Sequence, residues 1–452
     1  MIRSARRAAG AIAVLAMLLA ALACQAQPTP PAVEPATTAP TAPTVAASPV
    51  VPTVAVTAAA PTVTASPPTA ASVATLAASP TSPPVATATA AARGEIQFAW
   101  AGPLTGDAAQ LGQGLLNGTL LATEEWNARG GLLNSTIVIE PEDDQCDPKQ
   151  AALVAAKIAD DPKNVLLFGH ACSGATLASA PIVNKVGLPM ITPSTNPTIT
   201  QQGWNTLFRA QANDTVQGKV GITYVTRTLG LKTFAILHDN QAFGVGVGEV
   251  EKQTIEAAGG TVTSTGGVDP KEVDYSAVIT KIVQVEKPQA VLYCTGAPSS
   301  AGQMIKQLRQ LGFAGTIIGC DGWFDPGAIE GAEGLADRVS DTEAVYITFQ
   351  TPPYDATPAL EAFAAKYAAR FGRQPNAYEA YGYDVANLAF AAVEKAGVAD
   401  RAAIANALRS NVLPGLLNER YQFDAQGELA TWTFYVYRVE QGEFRLVDTI
   451  SG

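Results

Sequence analysis

From Glu95 onward, short apolar runs alternate with longer amphipathic stretches, and this alternation constrains the fold more than any other feature of the chain. In the first block EIQFAWAG, STIVIEPEDD, NVLLFG and LPMITPS read as strands. Between them AAQLGQGLLNGTLLATEEWNARGG, closed by Gly130 and Gly131, PKQAALVAAKIADDP and TLASAPIVNKVG read as helices. After Asn213 the pattern restarts. KTFAILHD, TVTSTGG, QAVLYCTG and GTIIGCDG are the strands, and QGKVGITYVTRTLG, GVGEVEKQTIEAAGG, YSAVITKIVQVEKP and AGQMIKQLRQLG the helices. Strands separated by helices pair in parallel, because a parallel connection needs a crossover of a dozen or more residues. The expectation is an α/β chain with two doubly wound lobes. Residues 355–410 read as mostly helical, and ERYQFDAQGELATWTFYVYRVEQGEFRLV as an antiparallel hairpin series with turns at AQGE and EQGE.

The N-terminal quarter has a different composition. MIRSARR is a basic region, AAGAIAVLAMLLAALA an apolar one, and ALAC ends on Cys24. This is a secretory signal whose small-residue-then-Cys ending resembles a bacterial lipoprotein box. Residues 1–24 are therefore expected to be a signal peptide with Cys24 as the lipid-bearing residue. Residues 25–93 are Pro, Thr, Ala, Val and Ser with almost no charge. Such a stretch cannot bury a core against its ordering entropy. It reads as a disordered, extended tether that could reach roughly 200 Å.

Composition narrows the function classes. The chain has 452 residues, 47% of them hydrophobic, which suffices for two compact domains. Its formal net charge is −11, with no Lys/Arg block beyond the first ten residues, so nucleic acid is not an expected partner. The run EPEDDQCD (140–147) lacks the internal Gly of a calcium loop and reads as a solvated acidic loop. GVGVGEV departs from G-x-G-x-x-G, and no phosphate-binding loop of the G-x-x-x-x-G-K-[ST] type is present. No metal and no cofactor are expected.

The stretch GHACSGAT (169–176) places a His, a Cys and a Ser together after a strand. A nucleophile elbow needs G-x-S-x-G, but Ala171 and Ala175 flank Ser173. Cys172 is one of four cysteines beyond Cys24 in a chain with a secretory signal, which favours disulfides over a free thiolate. His170 and His238, the two histidines, each end a strand and read as hydrogen-bonding residues. An enzyme is therefore not expected, and a ligand cradle remains. In open parallel sheets ligands bind outside the carboxyl ends of the strands. The loops there offer the hydroxyls of Ser173, Ser194 and Thr195, helix N-termini, the ring of Phe243 and the carboxylate of Asp321. Hydroxyls with N–H groups suit a carboxylate, and Asp321 suits an ammonium. The implied ligand is a small zwitterion held between two domains.

The segments AGPLTGDAAQLG, EDDQCDPKQA, GHACSGAT, PMITPSTNPTIT, LFRAQANDTVQG, ILHDNQAFG and YQFDAQGEL resemble the branched-chain amino-acid-binding (Leu/Ile/Val) proteins. These are the type I periplasmic substrate-binding proteins of ABC importers. The resemblance implies two lobes joined by three crossovers, near 211–214, 346–350 and 417–423. The N-terminal lobe would comprise 94–212 plus 349–418 and the C-terminal lobe 213–348 plus 419–452, closing like a hinged trap on a ligand in the interlobe cleft. Ser173 and Thr195 would hold the ligand carboxylate, Ser194 would add backbone contacts, and Asp321 would hold the amino group. Phe243 takes an aromatic position. Leu111 and Ala297 stand where the family has aromatic residues, and Asp321 replaces a longer Glu. Tyr378, Trp323 and Tyr381 either fill that space or are ordinary packing. The matched QCDP and HACS segments imply a Cys146–Cys172 disulfide. Cys294 and Cys320 end strands expected to be neighbours and are either bonded or two buried thiols. The implied function is a lipid-anchored, monomeric solute-binding protein serving permease subunits with an amino-acid-like ligand. An amide, urea or aromatic-acid ligand, or a ligand-sensing receptor role, is the alternative.

Overall fold

The computed structural model of the chain describes residues 94–452 apart from Val339. The expected signal peptide with Cys24 and the 25–93 tether lie outside the described residues. The first lobe opens with β1 (Glu95–Gly102), α1 (Ala109–Ala128), β2 (Thr136–Asp143), α2 (Pro148–Asp160), β3 (Asn164–Gly169), α3 (Ser173–Lys185), β4 (Met190–Thr192) and β5 (Leu207–Arg209). Its five strands run in the order β2-β1-β3-β4-β5, every pair parallel. β3 is buried at every position, as befits a strand covered on both faces. β2 is an edge strand, which is where a proline such as Pro141 is tolerated. Asp147 caps α2 by accepting from the N–H groups of Lys149 and Gln150, with Pro148 at the first helical position.

The second lobe follows with α4 (Asp214–Arg227), β6 (Thr233–His238), α5 (Ala242–Ala257), β7 (Thr261–Gly267), α6 (Ser276–Lys281), β8 (Ala290–Cys294), α7 (Pro298–Gln310), β9 (Thr316–Gly319), α8 (Pro326–Gly331) and β10 (Val345–Phe349). The chain then supplies α9 (Pro358–Phe371), α10 (Glu379–Ala396) and α11 (Arg401–Ser410), and ends in β11 (Thr433–Glu440) and β12 (Glu443–Ser451). The second sheet has the order β12-β11-β10-β9-β8-β6-β7. Its strands β6 to β10 pair in parallel, and β11 and β12 add on antiparallel.

Three features depart from the sequence reading. LFR and VYITF form β5 and β10, which the alternation does not reveal: one is three residues long, and an irregular stretch precedes the other. The tail forms one true hairpin, β11–β12. The AQGE region makes isolated bridges, Leu413 with Tyr421 and Phe423 with Leu429. The reason is packing: Tyr421 and Phe423 turn into the core of the first lobe, whereas Phe434 lies in the second. The third passage between lobes therefore falls between 423 and 434, later than the expected 417–423.

The return of the chain from β10 completes the first lobe. Phe390 of α10 packs edge-on against Phe98 and Phe168, with ring centroids 5.2 and 6.2 Å away. α10 lies on α1 with backbones in close approach. A Cβ on Gly118 would overlap the Glu379 carbonyl, and one on Gly382 would overlap that of Leu115. Where the chain first crosses between lobes, the Gln350 side chain brackets Ala212, accepting from its N–H at 2.7 Å and donating to its carbonyl at 3.3 Å. Both cysteine pairs sit at the carboxyl ends of strands. Cys146 and Cys172 lie with Cα atoms 5.4 Å apart, and Cys294 and Cys320 at 5.5 Å, both within the separation a disulfide spans.

Two measurements check this architecture. Non-reducing peptide mapping should recover both linked pairs, and alkylation of native protein should label none of the four cysteines. Gly382→Ala should lower stability by about 1–3 kcal/mol in urea unfolding, the usual cost of overpacking. Gly266→Ala, in β7, where an added Cβ would meet only the end of the Leu237 side chain at 3.8 Å, lacks that overlap and serves as the control for it.

Candidate functional site

Strand order reverses between β1 and β3 in the first sheet and between β6 and β8 in the second. In such sheets the loops leaving the strands diverge at these points and leave a crevice. Here the two crevices form one cleft of about 930 Å³. Leu111, Ser173 and Thr195 line it from the first lobe, Phe243, Ala297 and Asp321 from the second, and Tyr378 joins them.

Ser173 is the first residue of α3, so its wall also carries the unpaired N–H groups of a helix N-terminus. The side chain is 2% exposed, and its Oγ accepts from the Asn196 N–H at 3.3 Å. Thr195 is held from behind. Its carbonyl accepts from the Asp214 N–H at 2.9 Å. On either side of it, Arg209 donates to the carbonyls of Ser194 at 2.6 Å and Asn196 at 2.9 Å.

Ser194 is not part of the cleft lining. Its hydroxyl turns inward, 3.0 Å from the carbonyl of His170 and 2.6 Å from the Thr176 hydroxyl. His170 in turn places Nδ1 2.6 Å from the Asp144 carboxylate, both side chains fully buried. The buried histidine and serine, with Asp144 of the acidic loop, thus support the wall of the cleft from behind. Asp143 and Asp147 of the same loop are spent on backbone N–H groups.

Asp321 opens a short 3-10 turn after β9 and is 5% exposed. Burial pushes its carboxyl up to about 6, partly offset by the neighbouring Gln217 side chain and the Gly322 N–H. The Tyr378 hydroxyl donates to the Asp321 carbonyl at 2.9 Å, so an aromatic ring carried on the first lobe's return segment fixes the turn. Two further carboxyls lie behind it. Burial, then the charge of Asp321, holds Asp214 well above the ordinary carboxyl range. Burial, then Asp214, pushes Glu251 up to about 8. Burial therefore favours protons on Asp214 and Glu251, and Asp321 is the carboxyl of the three that lines the cleft.

Phe243 and Leu111 stand in the lining as the sequence places them. Trp323 does not: it is fully buried against Tyr293. Tyr381 is also packing, its hydroxyl 3.4 Å from the Thr192 carbonyl. Sequence reasoning missed Gln211, Asp239, Lys271 and Gln303, which also face the cleft. For Lys271 a signal existed, since DPKEVD follows β7 and so lies on the ligand side of the sheet. That loop is anchored by Gln303 and Gln307, which donate to the Val273 carbonyl at 2.9 and 2.8 Å.

Residues 95–443 match the family described as Periplasmic binding protein. The leucine-, isoleucine-, valine-, threonine- and alanine-binding protein of Pseudomonas aeruginosa is 31% identical over 343 residues, covering 76% of this chain and 89% of that one. The crystal structure of a leucine-binding protein from Thermotoga maritima superposes with a TM-score of 0.72 at 27% identity, covering 78% of this chain and 98% of the other. A solute-binding protein from R. palustris in complex with benzoate shares the fold, with a TM-score of 0.70 at 20% identity, covering 79% and 96%. With two lobes and a cleft between strand ends that take up nearly all of the matched region, the chain belongs to the periplasmic binding protein family.

Proposed function

We propose that this protein is the extracytoplasmic solute-binding component of an ABC importer and that its ligand is an α-amino acid. One observation carries the reading. Ser173, Thr195 and the N-terminus of α3 form an anion-seeking wall, and the buried carboxylate of Asp321 faces the same cleft from the other lobe. A carboxylate and an ammonium on one small molecule satisfy both walls at once. The similarity to binding proteins for leucine and other aliphatic amino acids supports the same reading. In this account the lobes hinge about the three passages and close on the ligand. Cys24 carries the lipid, residues 25–93 tether the head, and the closed monomer docks on permease subunits. An aromatic acid would satisfy the hydroxyl wall but leave Asp321 facing no cation, which is why it is the second choice despite the benzoate-bound fold neighbour.

Calorimetry tests this with the best ligand from an amino-acid panel. Removing one member of a buried charge pair costs about 3–5 kcal/mol, so Asp321→Ala should weaken binding by roughly two to four decades. Ser173→Ala and Thr195→Val each remove a hydrogen bond to a charged group, about 1.5–3 kcal/mol, or roughly one to two decades. An Asp321→Ala protein that binds as tightly as the parent would sink the amino-acid reading.

The pH dependence has a definite sign. Only ionised Asp321 pairs with an ammonium, and its carboxyl titrates at about 6. Affinity should be flat above about pH 7 and fall by about tenfold per unit below pH 6. Asp321→Asn should flatten the profile, and an affinity that rises on acidification would contradict it.

A further inference from the structure

Beside Asp321 the cleft opens into a second chamber of about 240 Å³. Gln110 and Leu111 of α1 form one wall, Gly296, Gly322 and Tyr378 the others, and Asp325 stands at its end. Leu111 and Gly296 border it where the space widens. A Cβ built on Gly296 would meet no atom within 4 Å, so the space there is open. A single water needs only about 10–15 Å³ of such volume, so the chamber admits many water-sized groups. That is more than a branched aliphatic side chain needs.

Its far end is chemically specific. Asp325 is 8% exposed. One oxygen accepts from the Gly327 N–H at 2.8 Å, capping α8. The Gln110 amide, reaching across from the first lobe, lies 2.8 and 2.9 Å from the two oxygens. Both donors are neutral, and a carboxylate accepts about four hydrogen bonds, so capacity remains. Burial raises the Asp325 carboxyl, Glu379 and Glu330 add to this, and Arg373 partly offsets it. Arg373 is itself paired with Glu379 at 2.9 Å. Asp107 on the same wall adds a further negative charge. Among the described residues no Lys or Arg lines the chamber, so it presents a largely buried carboxyl.

We propose that the ligand is an α-amino acid with a long side chain ending in an ammonium or guanidinium group, seated in this chamber against Asp325. This rests on the amino-acid reading above and narrows it to basic amino acids. The α-carboxylate and α-ammonium engage Ser173, Thr195 and Asp321. The methylenes pass Leu111 and the open face of Gly296. The distal cation reaches Asp325 beside the Gln110 amide.

L-Lysine and L-norleucine have the same chain except for the terminal ammonium, so their ratio isolates the distal contact. Calorimetry on the full mature chain should give L-lysine about tenfold to hundredfold tighter binding than L-norleucine, the range for a hydrogen bond to a charged group. Asp325→Asn keeps the helix cap, since Asn caps as well as Asp, and should bring the ratio to within about threefold. Leu111→Phe, which narrows the mouth of the chamber, should reduce the ratio in the same way. Thermal unfolding of each variant without ligand checks that it folds. Equal affinity for the two amino acids in the parent, or a ratio that survives Asp325→Asn, overturns the proposal. If L-alanine and L-norleucine bind in an Asp321-dependent way without preference for L-lysine, the proposal alone falls. If no amino acid binds, the amino-acid reading falls with it.

Discussion

Arg209 is the interaction on which the rest of the site depends. It is fully buried at the end of β5, and its guanidinium serves two parts of the chain at once. It donates to the carbonyls of Ser194 and Asn196 and so sets the loop that presents Thr195. It also meets Thr200 at 3.2 Å and Glu428 at 3.2 Å. Glu428 belongs to the segment leading into the third passage and additionally accepts from Thr200 at 2.5 Å and Asn213 at 3.3 Å. A buried cation costs several kcal/mol to desolvate, so it is retained only where hydrogen bonds and a counter-charge offset that cost. Here the same bonds that satisfy the cation fix the ligand loop and tie it to two of the passages between lobes. Arg209 is not part of the cleft lining, yet it sets the loop that carries Thr195 into it.

The two walls of the cleft achieve opposite electrostatics by different means. The first lobe offers an anion site without a formal positive charge, from hydroxyls and helix N–H groups. The second presents the buried Asp321 carboxyl, in a setting that screens charge poorly. Burial first, then a neighbouring carboxyl, favours protons on Asp214 and Glu251, so Asp321 carries the charge that this wall presents.

Much of the fold was legible because parallel strands covered on both faces read as continuous apolar runs, as NVLLFG and QAVLYCTG do. VYITF is equally apolar but stands apart from the strand–helix rhythm, and so went unread as β10. In the tail, alternation in YQFD is the same whether its rings face a sheet partner or a helix core, and the local pattern could not decide that Tyr421 and Phe423 return to the first lobe. The lining of the cleft was legible where chemistry and post-strand position coincide, as at Ser173, Thr195, Phe243 and Asp321. Ser194 and Thr195 are indistinguishable by type. What separates them is the direction imposed by Arg209 and His170, which are brought to them only by the fold. The Gln110–Asp325 contact, between positions on different lobes, leaves no local trace at all.

The covering of the first sheet by α10 also has a consequence for how the chain acquires its structure. Trp126 donates to Asn387 across 261 positions, and Phe98 waits for Phe390 to close its core. Contacts this distant pay loop-closure entropy before they return any burial. As the polypeptide is synthesised, the first sheet can form its strands but cannot bury one face until nearly all of the second lobe has been made. The N-terminal lobe therefore finishes late although it begins first, and its apolar strands stay open to holdase-type chaperones throughout elongation. A chain built this way remains unfolded for longest at the end that leaves the ribosome earliest.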